Sequence, residues 1–203
     1  MKTKLPYIDT DQLRAALTLL AANDDQRIVT KVVHIDSQYI EATNGHAIVR
    51  MKHHAEFNKS ITIQFNEPIP DDAEFSEIKL LDDGLCVAVH YRQDQDKEFR
   101  PFCKSELVVI EYQYPDFDRF LNQPFAKGNT PILLSAYLAL PYLLFGRSVV
   151  GMQQSLDNKG VLFEFCSATN ELFGDPKLFT LAIDAFVLEL TEKLLELSKE
   201  GSK

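Results

Sequence analysis

The chain has 203 residues and a mass of 23.1 kDa, with 45% hydrophobic and 25% charged residues. This composition excludes intrinsic disorder for most of the chain, because there is enough apolar surface to offset the entropy of an ordered backbone. The 21 Lys and Arg residues stand against 30 Asp and Glu residues, and the net charge of −9 argues against a protein that coats nucleic acid over its whole surface. One basic face on an acidic body remains compatible with that total.

The first part of the chain is predicted to begin with a helix and to continue as strands. Residues 9–22 carry apolar side chains at helical spacing, with Asp9, Thr10 or Asp11 as the expected N-cap. The stretch 66–77 is rich in Pro and acidic residues and is expected to be irregular. Runs of β-branched residues predict strands over 28–35, from 39 onward after a break at 36–38, over 47–51 and over 61–65, with Asn44-Gly45 as a tight turn.

The β pattern then resumes and is interrupted by one further helix. Residues 114–130 have the composition of a loop, and 135–145 that of a helix which Pro141 kinks or divides. Strands are predicted over 78–81, 85–91, 106–112, 132–134, 149–155, 161–166 and 178–183.

The last segment, 184–200, has the clearest helical pattern in the chain. Asp184 can cap it, and an apolar stripe recurs every three or four residues: Val187, Leu190, Leu194 and Leu197.

Together these elements predict an α+β fold, a mostly antiparallel sheet with a few helices against its faces. Three strand–turn–strand units with Asp-centred turns form a weak internal repeat. We expect a first unit over 1–121 and a second, partial unit over 122–203 with an added C-terminal helix. One continuous domain is the alternative.

The compartment is predicted from the termini, the apolar runs and the cysteines. The first ten residues carry two lysines with no apolar run behind them, so we expect no secretory signal, and the longest apolar run, 136–145, is too short to span a bilayer. The three cysteines contain no CxxC pair, which is typical of a reduced, cytoplasmic protein. We therefore expect a cytoplasmic chain with no membrane partner.

Motifs of catalysis are missing, and an enzyme is the minority interpretation. There is no Walker-type loop, GxGxxG, GxSxG or HExxH. His53 and His54 are adjacent on a strand end, so their rings point apart and favour no metal site. Cys103, beside Arg100 and Lys104, is a candidate nucleophile without an evident base, and an acidic cluster is the other catalytic alternative. We expect no cofactor and no metal.

Three segments resemble the bacterial DNA polymerase III beta sliding clamp. Residues 42–48, ATNGHAI, are similar to the clamp's A-T-D-G-H-R-L turn, and residues 114–121, YPDFDRFL, to its F-P-D-Y-R-R-V-L segment. Residues 132–138 and 178–183 resemble its strand-to-helix entry and its terminal strand. The chain departs from the clamp in having Ala47 in place of Arg, the irregular stretch 66–77 in place of a helix, and a helical segment after the terminal strand.

The resemblance implies a processivity fold with an apolar pocket for short linear peptides of DNA polymerases, clamp-loader-type proteins and repair proteins. Carried over residue by residue, this pocket comprises Val29, Thr43, Gly45, His46, Ile48, Pro115, Arg119, Phe120, Leu181 and Ile183. For Val29, Ile48, Leu181 and Ile183, a plain core position is the alternative.

The resemblance also implies contact with double-stranded DNA through a ring of copies, since one chain of this length cannot encircle a duplex. The candidate DNA contacts are Arg14, Arg27, Lys31, Arg50 and Lys52. The predicted helices carry few cations, so two hypotheses remain. One is a non-enzymatic, homo-oligomeric processivity or scaffold protein; the other is a clamp-derived interaction module or inhibitor that does not encircle DNA.

Overall fold

The computed structural model describes residues 7–20, 26–57, 59–81, 85–126, 133 and 135–182. These residues form twelve strands and four α-helices. The first elements are β1 (Ile8–Asp9), α1 (Thr10–Leu19), β2 (Val33–Ile35), β3 (Tyr39–Thr43), β4 (Ala47–Lys52), β5 (Ile61–Phe65), β6 (Phe75–Leu80), β7 (Cys86–Gln93) and β8 (Phe99–Val109). The later elements are α2 (Asp118–Leu121), β9 (Phe125–Ala126), α3 (Ser135–Phe145), β10 (Val150–Ser155), β11 (Gly160–Phe165), α4 (Ser167–Phe173) and β12 (Lys177–Leu181).

The strands form one sheet in the order β1-β6-β7-β8-β5-β2-β3-β4-β12-β11-β10-β9. Every described strand pair is antiparallel. The predicted class, α+β with a mostly antiparallel sheet, is confirmed. Within this sheet β12 pairs with β4, so that the last described strand lies beside the fourth one.

Helices α1 and α3 pack against each other on one face of the sheet. The Asp9 carboxylate caps α1 by accepting a hydrogen bond from the Asp11 amide at 2.9 Å, as the sequence predicts. Leu13 and Ala16 are fully buried, and α3 contributes Leu140, Leu144 and Phe145 to the same core. Because both apolar stripes meet the same sheet face, one contiguous core joins the two helices.

The strand expected over 28–35 is wrong in its first half. Residues Ile28–Lys31 form a 3-10 turn, and only Val33–Ile35 is a strand. The Thr30 amide and hydroxyl both donate to the Arg27 carbonyl, at 3.3 and 2.8 Å, and this local closure overrides the β propensity of the run.

Two stretches expected to be irregular contain regular structure. Phe75 and Ser76 begin β6 because they pair with Tyr91 and His90 of β7, which the prediction of an irregular 66–77 did not allow for. The expected loop over 114–130 contains the one-turn helix α2 and the short strand β9.

Helix α4 was not predicted, and a single glycine ends it. Gly174 has φ +69°, and a Cβ there would lie 1.7 Å from the Lys52 carbonyl oxygen. The Gly174 carbonyl accepts from the Lys52 amide at 2.8 Å, and the Lys52 carbonyl accepts from the Gln12 side chain at 2.9 Å. Gly174 therefore joins the end of α4 to β4 and α1.

The remaining helices and strands follow the sequence more closely, with shorter bounds. Helix α1 ends at Leu19 rather than at residue 22, and α3 continues through Pro141 as one helix rather than two. Apart from Leu133, which is not in a strand, the strand expected over 132–134 lies outside the described residues. The helix expected over 184–200 also lies outside them.

Candidate functional site

The turn before β4 is built by side chains that bond to their own backbone. The Thr43 hydroxyl donates to the Ala47 carbonyl at 2.7 Å and accepts from the Gly45 amide at 2.9 Å. Asn44 Oδ1 accepts from the amides of His46 and Ala47 at 3.0 and 2.9 Å. Gly45 has φ +85°, so the predicted Asn-Gly turn is present and leaves the His46 side chain exposed.

A second constraint on Gly45 comes from Arg27. A Cβ at Gly45 would lie 2.3 Å from Arg27 Nη1, so the guanidinium packs directly against the turn. Arg27 also donates to the Asn44 carbonyl at 3.4 Å. Val29, two residues further on, is half-buried in the 3-10 turn.

Strand β12 brings the end of the described chain to this turn. The Leu181 amide donates to the His46 carbonyl at 3.0 Å, and Phe179 lies directly opposite Ile48. Ile48 and Phe179 are buried, whereas Leu181 is 38% exposed. Leu181 therefore presents an accessible apolar side chain beside the exposed His46. Ile183 lies outside the described residues.

Residues 114–121 cover the same place from the face of the sheet opposite α1 and α3. Phe117 and Leu121 are buried in a small cluster with Ile48 and Phe179. The Phe120 ring packs against the Phe179 ring with the ring centroids 5.6 Å apart. The four clustered side chains are buried, and the half-buried Phe120 packs against them beside Ile48.

The exposed rim of this cluster carries Arg119 and Pro115. The Arg119 guanidinium carbon lies 4.5 Å from the centroid of the Phe120 ring, a cation–π contact on the protein surface. Pro115 is half-buried in the same segment. Arg119 is thus an exposed cation beside an aromatic surface.

An ion-pair network ties residues 114–121 to the sheet. Arg50 of β4 pairs with Glu41 of β3 at 2.5 Å and with Asp118 of α2 at 2.6 Å. Burial raises the pKa of Glu41, against the opposing effect of the Arg50 guanidinium. Arg50 is 15% exposed and Asp118 58% exposed, so the network reaches from the interior to the surface.

Tyr114 anchors the start of the same segment. Its ring stacks on that of His34 with the centroids 4.5 Å apart and an interplanar angle of 8°. The Tyr114 hydroxyl is buried and, within the described part of the chain, has no hydrogen-bond partner; burial raises its pKa above the usual range. A groove of about 500 Å³ borders His34 and Tyr114, and none of the predicted pocket residues lines it.

The structure therefore brings together most of the predicted pocket residues. Thr43, Gly45, His46, Ile48, Phe120 and Leu181 meet where β4 begins and β12 ends. Sequence analysis missed the groups that hold them there, which are Glu41, Tyr114, Phe117, Asp118, Leu121 and Phe179. The i, i+4 spacing of Phe117 and Leu121 is the one local signal that could have indicated such a cluster.

The candidate DNA contacts do not share one surface. Arg14 lies on α1, where it pairs with Asp11 at 2.8 Å and donates to the Pro70 carbonyl. Arg50 and Lys52 are two positions apart on β4, so their side chains share one face of the sheet, the face away from α1. Arg27 and Lys31 flank or end the 3-10 turn.

Helix α3, which shares the α1 side of the sheet, exposes apolar side chains instead of cations. Leu138, Tyr142 and Leu143 are among the most exposed large hydrophobic residues of the described chain. No Lys or Arg occurs within Ser135–Phe145.

The histidines and cysteines weighed for catalysis lie apart. His90 is fully buried and hydrogen-bonded to Ser76 and Ser105, each at 2.9 Å. Among the described residues, no three His, Cys, Asp or Glu side chains are arranged to hold a metal ion. Sequence analysis singled out Cys103, whereas hydrogen bonding to Thr169 lowers the pKa of Cys166 to about 6.

No protein-family model and no curated protein matches this chain. Among solved structures, it is similar to that of a protein assigned as a DNA polymerase III beta subunit from Eubacterium rectale, with 11% sequence identity and a TM-score of 0.46. The match covers 88% of this chain, which spans 65% of the length of the other. None of the described helices is long and apolar enough to cross a membrane.

Proposed function

We propose that this chain is a non-enzymatic, sliding-clamp-like interaction protein that captures short peptide segments where β4 begins and β12 ends. One observation carries the proposal. Three segments far apart in the sequence, the 43–48 turn, 114–121 and the end of β12, meet at one place through the Leu181–His46 bond and the Ile48–Phe179–Phe120 contacts.

The chemistry of this place suits a linear peptide with apolar anchors. Leu181 and the half-buried Phe120 offer apolar surface, while His46 and Arg119 offer polar groups at the rim. A few buried apolar contacts surrounded by orienting polar groups are typical of peptide recognition. The partners we propose are DNA polymerase or clamp-loader-type proteins that carry such peptides.

The ion pairs of Arg50 hold one side of the proposed peptide site in place. Because Arg50 joins Glu41 to Asp118, residues 114–121 are held on the sheet by charge as well as by burial of Phe117 and Leu121. A preorganised surface loses less conformational entropy when a peptide binds.

A fluorescence-anisotropy titration tests peptide capture. The probe is a fluorescein-labelled decapeptide with adjacent Leu and Phe residues, and its counterpart has Ala at both positions. We expect Leu181→Asp to weaken binding of the Leu-Phe peptide at least tenfold, because it introduces a charge into the apolar contact. Leu156→Asp, an equal change at an exposed leucine of the β10–β11 turn, is the matched control.

Two outcomes would refute peptide capture at this site. One is equal affinity for the Leu-Phe and Ala-Ala peptides. The other is equal weakening by Leu181→Asp and Leu156→Asp, since binding would then not depend on the end of β12.

A second candidate function is that of a DNA-encircling processivity factor built from several copies. The observation that favours it is that both ends of the sheet are only partly paired within the described chain: β1 covers Phe75 and Ser76 of β6, and β9 covers Gln154 and Ser155 of β10. Such edges can continue a sheet into neighbouring copies. The scattered cations and the apolar surface of α3 favour instead the module that does not encircle DNA.

Sedimentation and DNA retention separate the two candidates. An encircling oligomer would be retained on closed circular duplex and lost when the duplex is linearised. We expect no topology-dependent retention, and a salt-sensitive contact with either form at most. Retention on circular DNA alone would overturn this expectation in favour of the ring.

A further inference from the structure

One apolar surface of the described chain has no role in the proposed peptide site. Its residues come from one flank of α3 and from β10, which β9 pairs only at Gln154 and Ser155, and each is between 39% and 64% exposed. We call them the α3–β10 face: Leu138, Tyr142, Val150 and Met152.

These four side chains lie on the same side of the sheet. Val150 is paired with Phe165, and Met152 with Phe163, which is buried in the core beneath α3. Directly opposed residues of neighbouring strands point to the same face, so Val150 and Met152 face the layer that contains α3. There Val150 is 39% and Met152 44% exposed, so neither is fully covered by the described residues.

Helix α3 forms the wall of this face. Leu138 and Tyr142 stand seven and three positions before Phe145, a spacing that puts all three on one flank of the helix. The Phe145 ring contacts Phe165 of β11, with the centroids 4.8 Å apart. The same ring also contacts Phe173 of α4, with the centroids 4.9 Å apart. The flank of α3 that carries Leu138 and Tyr142 therefore borders β11, the strand next to β10, and α4 closes its Phe145 end.

The described chain ends close to this face and on the same side of the sheet. The Ala182 amide donates to the Lys159 carbonyl at 2.9 Å, next to the start of β11, and Ala182 packs against the core shared by α1 and α3. Strand β10 is two strands from β12, a lateral distance of about 10 Å. The next residues begin within reach of the β10 end of the face.

The sequence that follows has the pattern and the length to cover the face. Residues 184–200 carry the apolar stripe of Val187, Leu190, Leu194 and Leu197, and most of the Glu and Lys residues fall on the opposite side together with Leu188 and Leu195. As a helix they would measure about 25 Å, and β10, with six residues, is about 20 Å long. Because β12 ends here, a helix that turns back over the sheet runs from the Ser155 end of β10 toward Val150.

We propose that residues 184–200 dock as an amphipathic helix on the α3–β10 face of their own chain. The apolar stripe covers Met152 and Val150 and packs against Leu138 and Tyr142, and the acidic side of the helix stays in solvent. The docked helix caps the edge of the layer formed by α1 and α3. This proposal does not rest on peptide capture, whose Ile48 and Phe120 lie at the opposite face of the sheet.

Hydrogen exchange measured by mass spectrometry on the full chain tests the docking. We expect amides within 187–197 to exchange at least about tenfold more slowly than in an unstructured peptide. Met152→Asp and Tyr142→Asp should each abolish that protection, because a carboxylate on the face is desolvated by docking. Leu85→Asp, the same change at an exposed leucine beside β7, should leave it unchanged.

A cross-link distinguishes a helix docked in its own chain from one exchanged with a second copy. We expect the variant Met152→Cys/Leu190→Cys to form a link that peptide mapping separates from any link of Cys86, Cys103 or Cys166. In an equal mixture of ¹⁴N and ¹⁵N chains, that link should join peptides of one isotope.

Three results would overturn the proposal. Mixed-isotope links would assign the face to a second copy. If the amides within 187–197 exchanged as fast as in an unstructured peptide, the segment would not dock, and a different protein would have to cover the α3–β10 face. Protection that survives both Met152→Asp and Tyr142→Asp would show that the segment docks elsewhere.

Discussion

The two faces of β3 and β4 differ in what covers them. On one face Ile40, Ala42, Val49 and Met51 are fully buried against α1 and α3, and all four are apolar. On the other face Glu41, Ile48 and Arg50 meet residues 114–121 and β12. The first face is an apolar core that helices close mainly by burial, whereas the second combines a salt-bridge network with a small aromatic cluster. We call the face of Glu41, Ile48 and Arg50 the mixed face, and the other the apolar face. Three segments that are far apart in the sequence converge on the mixed face.

The largest effect is expected on the apolar face. Ile40→Ala should lower the free energy of unfolding by about 2–5 kcal/mol, because Ile40 is fully buried and the surrounding core closes the cavity only in part. Urea denaturation measures this change. The control Ile28→Ala, at a half-exposed isoleucine, should change the free energy of unfolding by less than about 0.5 kcal/mol. A cost below about 1 kcal/mol for Ile40→Ala would contradict a close-packed face.

A smaller and uneven effect is expected on the mixed face. Arg50→Met leaves the buried Glu41 carboxylate without its cation and should cost about 2–4 kcal/mol in unfolding free energy. Asp118→Asn removes the partner that is more than half exposed and should cost less than about 1 kcal/mol. Urea denaturation of both variants measures the difference, and the double variant Glu41→Gln/Arg50→Met should recover part of the loss. If Arg50→Met and Asp118→Asn lowered the unfolding free energy equally, the Arg50–Glu41 pair would contribute no measurable stability beyond that of the exposed Arg50–Asp118 pair.

The smallest effect concerns His90 of β7, which is buried and hydrogen-bonded to the buried side chains of Ser76 and Ser105. Burial, together with the charge of Arg14, lowers the pKa of His90 below its usual value of 6.5. The folded state then binds a proton less readily than the unfolded state, so the stability is complete above pH 6.5 and declines as the pH falls below it. Urea denaturation between pH 7.5 and 5.5 should show this decline.

His90→Gln separates this decline from that of other groups. The variant keeps a side chain that can bond to Ser76 and Ser105 but cannot titrate, so its stability should depend less on pH over the same range. His54→Gln, at an exposed histidine, is the control. If the unfolding free energy of His90→Gln fell with pH as steeply as that of the unchanged protein, another group would cause the decline. His34, whose pKa is also lowered by burial, is one such group.

Most of the fold on the apolar face could be predicted from local pattern. The period of α1, its Asp9 cap and the strands around 47–51 and 61–65 depend on neighbours within a few residues, and the structure has them close to the expected bounds. The failures have a common cause. The 3-10 turn at Ile28–Lys31 and the start of β6 at Phe75 are decided by hydrogen bonds that propensity does not describe.

The candidate site shows the same division. The Asn44-Gly45 turn is determined by its own side chains, so its geometry could be expected from the residues alone. The salt bridge from Arg50 to Asp118 joins residues 68 positions apart, and no local pattern indicates it. Arg50, expected as a DNA contact, thus proves to be paired with two carboxylates of its own chain.

The sequence by itself determined which residues are apolar, where α1 and the strands around 47–51 and 61–65 lie, and that the chain is an acidic α+β protein, because these depend on composition and on spacing over a few residues. Only the tertiary structure decided that β12 adds to β4, that residues 114–121 fold onto the mixed face, and that the cations lie on separate surfaces. The physical reason is that sheet order and long-range ion pairs come from the balance of burial and loop closure over the whole chain. That balance is not encoded in any single segment.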